Sequence, residues 1–236
     1  MHIHIRKTGT HLGACLSVLI CLFLAVPANA AAVALTFDDG PTAKQTRTIV
    51  EILQKEDVPA TFFLCGYRLE EYEEIASLLA DPDFELGVHG YSHQPMNDLN
   101  EDVLQEELDS TAKLITEYTG HTPTVMRPPG GLTNDTVQKI CTQNGYPIIL
   151  WSVDPEDWRP GNTADFVSSR VLEQIRDGDI ILLHDLNRRT TDALPDIIRE
   201  LKQQGFEFLT VSELAERQGV ALESGASYYR FSPNSG

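Results

Sequence analysis

Two adjacent acids, Asp38 and Asp39, stand at the end of a short apolar segment and are followed by Gly40 and Pro41. The apolar segment, residues 33–37, is typical of a buried strand, and Gly40 with Pro41 predicts a sharp turn after it. Because successive strand side chains point to opposite faces, we expect the two carboxylates to do different jobs. One would bind a metal ion and the other would move a proton. Taken alone, the same residues also describe an ordinary acidic turn.

Two histidines, His89 and His93, are separated by Gly90, Tyr91 and Ser92. This is not the helical His-Glu-x-x-His arrangement, because no Glu follows His89 and Gly90 is a poor helix residue. The spacing predicts a loop in which both imidazoles reach one cation. Two nitrogens and one carboxylate oxygen suit Zn²⁺ and leave positions open for water and substrate. The alternative is a structural or surface pair, which is more common for two isolated histidines.

Strand-like and helix-like segments alternate after residue 33, which predicts parallel βα units. The predicted strands are residues 33–37, 60–64, 84–88, 124–126, 147–151, 180–183 and 206–209. The predicted helices are residues 43–55, 69–79, 101–118, 134–144, 164–176, 194–203 and 211–218. About seven units in roughly 180 residues predict an α/β fold, a distorted and incomplete TIM-like barrel with about seven parallel strands.

Further residues that could belong to a functional site follow the later predicted strands. They are Arg127, Pro128, Pro129 and Gly130 after the fourth, Asp154, Asp157 and Trp158 after the fifth, and His184 and Asp185 after the sixth. Because function collects at the carboxyl ends of parallel strands, these residues are expected to meet the acids and histidines at one rim. Considered singly, Arg127 also fits a surface ion pair, Asp157 a loop cap, Trp158 a core position and Asp185 a helix cap.

Five motifs resemble, in order and spacing, those of the polysaccharide deacetylases, which are carbohydrate esterase family 4 and carry the NodB-homology domain. The motifs are Thr36-Phe37-Asp38-Asp39-Gly40, His89-x-x-x-His93, Arg127-Pro128-Pro129-Gly130, Asp154-Pro155-Glu156-Asp157-Trp158 and Leu182-Leu183-His184. The resemblance extends over about residues 33–215. It departs from the family at Gly90, where the family usually has a Ser or Thr that braces the loop.

The resemblance implies a catalytic role for seven of these residues. The metal ligands would be Asp39, His89 and His93, and the metal would be divalent, most readily Zn²⁺, with Co²⁺ or another transition metal as alternatives. The general base would be Asp38, oriented by Arg127, and the general acid would be His184, paired with Asp157. An amine leaves only when it is protonated, and histidine can supply that proton near neutral pH.

The resemblance also implies a groove for a sugar chain. Trp158 would line the groove and Leu182 would border a pocket for the acetyl group. Pro129 and Gly130 would also contact substrate, with the backbone N–H near Gly130 contributing to an oxyanion hole. For Trp158, stacking on a sugar and a place in the core remain equally compatible with the sequence.

The composition and the N-terminal residues bound the class of protein. The chain has 236 residues, 42% of them hydrophobic, and a net charge of −17. The acidic excess argues against nucleic-acid binding and against attachment to anionic lipid. Residues 1–30 predict a signal peptide, because Arg6 and Lys7 precede an apolar run and Ala28-Asn29-Ala30. An uncleaved anchor is the alternative.

The predicted organisation is therefore a signal peptide at residues 1–30, a polysaccharide deacetylase domain at 31–220 and a C-terminal tail at 221–236. The tail is expected to be loosely attached, although its aromatic residues could pack on the barrel. Of the cysteines outside the signal peptide, Cys65 and Cys141, we expect two buried free thiols rather than a disulfide.

The predicted function is metal-dependent removal of N-acetyl groups from an N-acetylglucosamine-containing polysaccharide, either peptidoglycan or a chitin-like polymer. The protein would be a secreted, periplasmic or cell-wall-associated monomer. It would bind an acetylated glycan, without a nucleic-acid partner and without stable membrane association after signal cleavage. Alternatives are an O-acetyl xylan esterase using the same site, a non-catalytic carbohydrate-binding relative, and a metal carrier.

Overall fold

The computed structural model describes residues 30–232, so the predicted signal peptide, apart from Ala30, lies outside the described residues. The strands are β1 (Ala32–Gly40), β2 (Ala60–Leu64), β3 (Phe84–Val88), β4 (Val125–Met126), β5 (Ile148–Ile149), β6 (Ile180–His184), β7 (Glu207–Phe208) and β8 (Ser227–Tyr228). The helices are α1 (Gln45–Glu56), α2 (Gly66–Glu71), α3 (Glu73–Ala76), α4 (Glu101–Thr119), α5 (Asp135–Asn144), α6 (Ala164–Gln174), α7 (Arg188–Gln203) and α8 (Val211–Arg217). Short 3₁₀ turns lie at Ser77–Ala80, Met96–Asp98 and Pro129–Gly131.

The strands form one parallel sheet in the order β6-β1-β2-β3-β4-β5-β8, with β7 paired to β1. The first seven strands coincide with the predicted ones and curl into an incomplete α/β barrel, which confirms the predicted fold class. The barrel opens between β5 and β6, where the backbone contact is a bridge between Val153 and Ile181. All strand carboxyl ends therefore meet at one rim.

The central strands are short apolar runs because helices or the barrel interior cover both of their faces. Every residue of β2 is buried, for example. The helices begin and end where local chemistry allows. The Asn100 side chain accepts a hydrogen bond from the Val103 N–H at the start of α4, and Gly120 ends this helix with a φ of 76°.

Two predicted helices differ from the observed ones. The predicted helix at residues 69–79 is divided into α2, α3 and a 3₁₀ turn, because Tyr72 has non-helical dihedral angles between the two helices. By contrast, α7 begins at Arg188, six residues before the predicted start, although Pro195 lies within it. Burial of its apolar face outweighs the hydrogen bond that Pro195 cannot donate.

The expectation of a loosely attached tail is wrong for its described residues. Strand β8 pairs with β5, and Phe231 is only 1% exposed in an apolar cluster with Ile149 and Ile180. The Arg230 guanidinium donates to the buried carboxylate of Asp179, just before β6. The tail therefore joins the two strands that flank the opening of the barrel.

Cys65 and Cys141 are buried free thiols, as predicted. Burial raises the pKa of both thiols, and for Cys141 the value is about 12. Both sulfurs are therefore protonated and inert near neutral pH. Among residues 30–232, no helix combines the length and the apolarity needed to cross a bilayer.

Candidate active site

A cavity of about 260 Å³ opens at the carboxyl ends of the barrel strands. Its lining residues are Asp38, Asp39, His89, His93, Gly130, Trp151, Asp154, Trp158, Leu182 and His184. Residues from all five sequence motifs therefore converge on one place, although they are separated by nearly 150 positions in the chain. The parallel arrangement of the strands is what brings them together.

Asp38 and Asp39 both face this cavity, so the expectation that they point to opposite faces is wrong. The register between β1 and β2 shifts between Asp38 and Gly40, and Asp39 has a φ of 75°. A bulge of this kind adds one residue and re-aims a side chain, which breaks the strict alternation of a strand. The two carboxylates still have different partners.

Asp39, His89 and His93 form the candidate metal site. The ligand atoms of these three side chains all lie within 4.8 Å of one another, and among the described residues they are the one group of this kind. Asp39 Oδ1 lies 2.8 Å from His93 Nε2 and 3.2 Å from His89 Nε2. This oxygen is nevertheless buried without a hydrogen-bond partner. Two imidazoles and one carboxylate this close together suit a divalent transition metal.

The position of the His89 ring proton and the negative charge of Asp39 also suit a bound cation. His89 is buried, and its Nδ1 lies 2.7 Å from the carbonyl oxygen of Arg127. Because a carbonyl can only accept, Nδ1 carries a proton, and Nε2 is the ring nitrogen directed at Asp39. Burial alone would raise the pKa of Asp39, but the imidazoles of His89 and His93 outweigh burial and hold this pKa well below its usual range.

Asp38 is paired with a fully buried arginine. Arg127 Nη1 donates to Asp38 Oδ1 over 2.6 Å and to Thr36 Oγ1 over 2.8 Å. The other guanidinium nitrogens donate to the carbonyl oxygens of Ile149 and Leu150. The interpretation of Arg127 as a surface ion pair is therefore wrong. Burial lowers the pKa of Arg127, and the Asp38 carboxylate partly offsets this effect. The short, charge-assisted hydrogen bond from Nη1 holds the Asp38 carboxylate in one orientation.

His184 and Asp157 form a second pair across the cavity. His184 Nδ1 lies 2.7 Å from Asp157 Oδ1, and Asp157 Oδ2 accepts from the His184 backbone N–H over 2.7 Å. Thr190 Oγ1 donates to the same Oδ2 over 2.6 Å. Burial alone would lower the pKa of His184, but the hydrogen bond and charge of Asp157, with Asp38 and Asp39, raise it to about 9. His184 is therefore an imidazolium at neutral pH, with a proton on each ring nitrogen.

The four predicted substrate-binding residues differ in position. Trp158 is 46% exposed and Leu182 is buried, and both line the cavity, so Trp158 is not a core residue. Gly130 also lines it, with a φ of 65°, whereas Pro129 is buried and is not among the lining residues. The Arg159 guanidinium lies 5.6 Å from the Trp158 ring centre.

Asp185 does not cap a helix. It is fully buried, and one of its carboxylate oxygens accepts a hydrogen bond from Thr46 Oγ1. Burial raises the pKa of Asp185 to about 7. A Cβ atom at Gly40 would lie 2.1 Å from Asp185 Oδ2, so Gly40 makes room for this carboxyl group beneath β1.

Three contributors to the site were not predicted. Trp151 lines the cavity at the end of β5, Thr36 binds Arg127, and Thr190 binds Asp157. Thr36 lies two residues before Asp38, and this period-two spacing is the one local signal that could have placed it on the same face. No local sequence signal predicts the contact of Thr190 with Asp157, because Thr190 lies on helix α7, 33 residues further along the chain.

Comparison with known proteins places these features in a family. The sequence model of the polysaccharide deacetylase family matches residues 25–149, more than half of the chain. A peptidoglycan-N-acetylmuramic acid deacetylase, PdaC of Bacillus subtilis (strain 168), is 38% identical over 191 residues, covering 81% of this chain and 40% of its own. A peptidoglycan-N-acetylglucosamine deacetylase of Bacillus cereus is 35% identical over 195 residues, covering 80% of this chain and 90% of its own.

Among solved structures, a family 4 acetyl xylan esterase from Clostridium thermocellum in complex with a cobalt ion superposes with a TM-score of 0.79 at 33% identity. The match covers 84% of this chain and 98% of the esterase. The chain spans about two fifths of the length of several curated relatives that it matches, which therefore have further segments of their own.

Proposed function

This chain belongs to the polysaccharide deacetylase family, hydrolases that act on amide bonds, and we propose that it removes N-acetyl groups from an N-acetylglucosamine-containing polysaccharide. Peptidoglycan is the substrate that its relatives support best, with a chitin-like polymer as the other possibility. The observation that carries the proposal is the convergence of Asp38, His184 and the three candidate ligands on one cavity. A base, an acid and a cation site are what hydrolysis of an unreactive amide requires.

The ligands would be Asp39, His89 and His93, with Zn²⁺ as the proposed metal. A divalent cation held there would supply Lewis-acid polarisation of the acetyl carbonyl and a lower pKa for water. Asp38 would accept the proton of the attacking water, because it faces the cavity and Arg127 holds it in place. The backbone N–H near Gly130 would stabilise the charge that develops on the acetyl oxygen, a contribution of about 3 kcal/mol per donor.

His184 would complete the reaction as the acid. The carbon–nitrogen bond breaks only when the sugar nitrogen takes up a proton, because an amide anion is a very poor leaving group. His184 uses Nδ1 for Asp157, so Nε2 is the nitrogen that would protonate the amine. Acetate is then released, and the sugar residue stays in the polymer with a free amine. Trp158, beside the cavity and half exposed, would stack on the sugar chain, and Leu182 would contact the acetyl methyl group.

Ester hydrolysis is a second candidate function, since a structural neighbour is an acetyl xylan esterase. An alcohol leaves more easily than an amine, so an esterase depends less on its acid. The strongly raised pKa of His184 therefore favours the amide substrate.

We expect His184→Ala to reduce acetate release from acetylated chitooligosaccharide more than from acetylated xylan. Equal losses on both substrates would contradict the role of His184 as leaving-group acid.

The substrate also bears on location and partners. Peptidoglycan lies outside the cytoplasmic membrane, so we propose that the protein acts at the cell wall as a monomer bound to its glycan. The acidic net charge of −17 is compatible with a neutral or cationic polymer and disfavours polyanions.

Acetate release from peptidoglycan, acetylated chitooligosaccharide and acetylated xylan, with and without a chelator, tests the proposed activity. We expect Asp38→Asn to lower turnover by about 10²- to 10⁴-fold while the metal content stays the same. The exposed Asp165→Asn variant is the matched control and should retain full activity. Loss of metal from Asp38→Asn would mean that the two aspartates are reversed. Glycan binding without acetate release would point to a non-catalytic relative, and metal binding alone to a carrier.

A further inference from the structure

The loop that carries the two histidines has an unusual backbone. This loop, residues 89–93 and called here the histidine loop, has a φ of 80° at Gly90 and 59° at His93. Left-handed conformations are accessible to glycine, but they strain the backbone of a non-glycine residue such as His93. They persist where surrounding contacts over-determine the backbone. The histidine loop therefore needs contacts from elsewhere in the fold to hold its second imidazole beside Asp39.

One set of contacts comes from backbone N–H groups at the start of α2, which donate to the carbonyl oxygens of Gly90 and Tyr91, and another comes from Glu107, on helix α4. Glu107 Oε2 accepts hydrogen bonds from the backbone N–H groups of Tyr91 (2.7 Å) and Ser92 (2.8 Å). Glu107 Oε1 accepts a third from the Ser92 hydroxyl over 2.6 Å. Both carboxylate oxygens are thus directed at the two residues immediately before His93. Hydrogen bonds to a charged acceptor are about twice as strong as neutral ones.

Glu107 has no other evident task. It is only 8% exposed, and among the described residues it has no ion pair with a Lys, Arg or His side chain. Burying a carboxylate costs free energy of desolvation, and only close and well-directed hydrogen bonds offset this cost. The three short bonds to the histidine loop meet this requirement.

Gly90 makes room for this arrangement. A Cβ atom at Gly90 would lie 3.1 Å from Glu107 Oε2 and 2.9 Å from the Met96 side chain. A side chain at position 90 would therefore crowd the carboxylate and would also be strained at this φ. Glycine at position 90 thus allows the Glu107 carboxylate to come close enough to bind the backbone N–H groups of the histidine loop.

We propose that Glu107 is a positioning residue for the metal site, which holds the histidine loop so that His93 reaches the same ion as His89 and Asp39. The inference rests on the metal site of the proposed function. Without Glu107, two partly buried backbone N–H groups lose their acceptor, and the left-handed turn loses one of the two sets of contacts that hold it. Removing a residue that positions a metal ligand without binding the metal typically weakens metal binding about 10- to 100-fold.

Co²⁺ binding to the full-length, metal-free protein tests this inference without using activity. We expect Glu107→Ala to raise the Kd for Co²⁺ about 10- to 100-fold and to alter the visible absorption of bound Co²⁺. Glu107→Gln should restore Co²⁺ affinity to within a few-fold of the parent. Its carbonyl oxygen can accept from both backbone N–H groups, and its amide can donate to the Ser92 oxygen.

Glu106→Ala, one residue earlier on the exposed face of α4, is the matched control and should bind Co²⁺ like the parent. Ser92→Ala removes one of the three bonds and should weaken Co²⁺ binding by about fivefold, which preserves the test if Glu107→Ala does not fold. A purely structural role would lower the melting temperature of Glu107→Ala and leave Co²⁺ affinity and absorption unchanged, and that result would overturn the inference. A parent chain that binds no Co²⁺ would instead overturn the metal site, and the proposed function with it.

Discussion

Asp38 and Asp39 are sequence neighbours whose surroundings assign them to different chemistry. Asp38 accepts its bond from a buried guanidinium, whereas Asp39 presents a buried oxygen without any hydrogen-bond partner to two imidazoles. A carboxylate held by a fixed cation keeps its orientation while it gains or loses a proton. A carboxylate with an unsatisfied oxygen beside two imidazole nitrogens is suited to a metal. The identity of each partner, not the residue type, therefore distinguishes the proposed base from the proposed ligand.

At the same scale, the charge state of His184 depends mainly on one neighbour, Asp157, with smaller contributions from Asp38 and Asp39. Its folded pKa of about 9 exceeds the usual 6.5, although burial opposes this, because Asp157 bonds to it and carries a negative charge. The protonated imidazole is present at neutral pH and is lost as the pH rises through about 9. The same pair stabilises the fold fully below pH 6.5, and this contribution declines as the pH rises through about 9.

We expect Asp157→Asn to move the alkaline limb of the pH–rate profile from about pH 9 toward or below pH 6.5. Asparagine keeps an acceptor for Nδ1–H but removes the charge, so burial would then favour the neutral imidazole. The measurement is kcat/KM against pH on acetylated chitooligosaccharide, with Asp165→Asn as a surface control of equal charge change. An unchanged alkaline limb would mean that another group is the acid.

At the scale of secondary-structure elements, Arg127 connects three strands. It follows β4, its Nη1 binds Thr36 and Asp38 on β1, and its remaining nitrogens bind carbonyls at β5. Its guanidinium also lies 4.1 Å from the Phe63 ring centre on β2. The side chain is completely buried, so these bonds replace all of its hydration. The residue that orients the proposed base is therefore also a structural centre of the barrel rim.

Arg127→Met is expected to lower the free energy of unfolding by about 3–5 kcal/mol, because it leaves Asp38 as a buried charge without its partner. Arg127→Lys should recover part of this loss, since it keeps the charge but cannot reach both carbonyls of β5. Urea denaturation of the full chain measures the change, and the exposed Arg47→Met is the control. If Arg127→Met were as stable as Arg47→Met, the bonds at the rim would not contribute to folding.

At the scale of the whole molecule, the C-terminal residues complete the barrel. Strand β8 extends the sheet beyond β5, and Arg230 and Phe231 contact the residues just before β6. His184 is the last residue of β6, and Asp157 lies in the segment that follows β5. The tail therefore connects the two parts of the sheet that lead to the His184–Asp157 pair.

Gly178→Ala tests the attachment of this segment. A Cβ atom at Gly178 would lie 1.5 Å from the Phe231 carbonyl oxygen, at a φ of 79°. Gly219→Ala is a matched control, because its φ is 70° but no atom lies within 4 Å of the added Cβ. We expect Gly178→Ala to be about 1–3 kcal/mol less stable than the control, which corresponds to roughly 2–4 °C in Tm per kcal/mol. Limited proteolysis should also remove its tail faster, and equal Tm values would show that the tail does not stabilise the barrel.

The sequence by itself determined the seven barrel strands and the set of residues that meets at the rim. Apolar runs and their helical or strand period are local properties, and parallel βα units necessarily place strand carboxyl ends at one edge. The residues after those ends, from Asp38 to His184, could therefore be assigned to one site without coordinates. Their ordered spacing was also enough to indicate the family, which the comparisons then confirmed.

Only the tertiary structure decided how these residues are arranged. The bulge at Asp39 turns both aspartates into one cavity, burial of Arg127 makes it a fixed partner of Asp38, and Glu107 braces the histidine loop from another helix. The attachment of the tail through Phe231 is likewise a feature that only the tertiary structure shows. Each depends on contacts between residues far apart in the chain, and burial and hydrogen-bond partners of that kind leave no periodic signal in the local sequence.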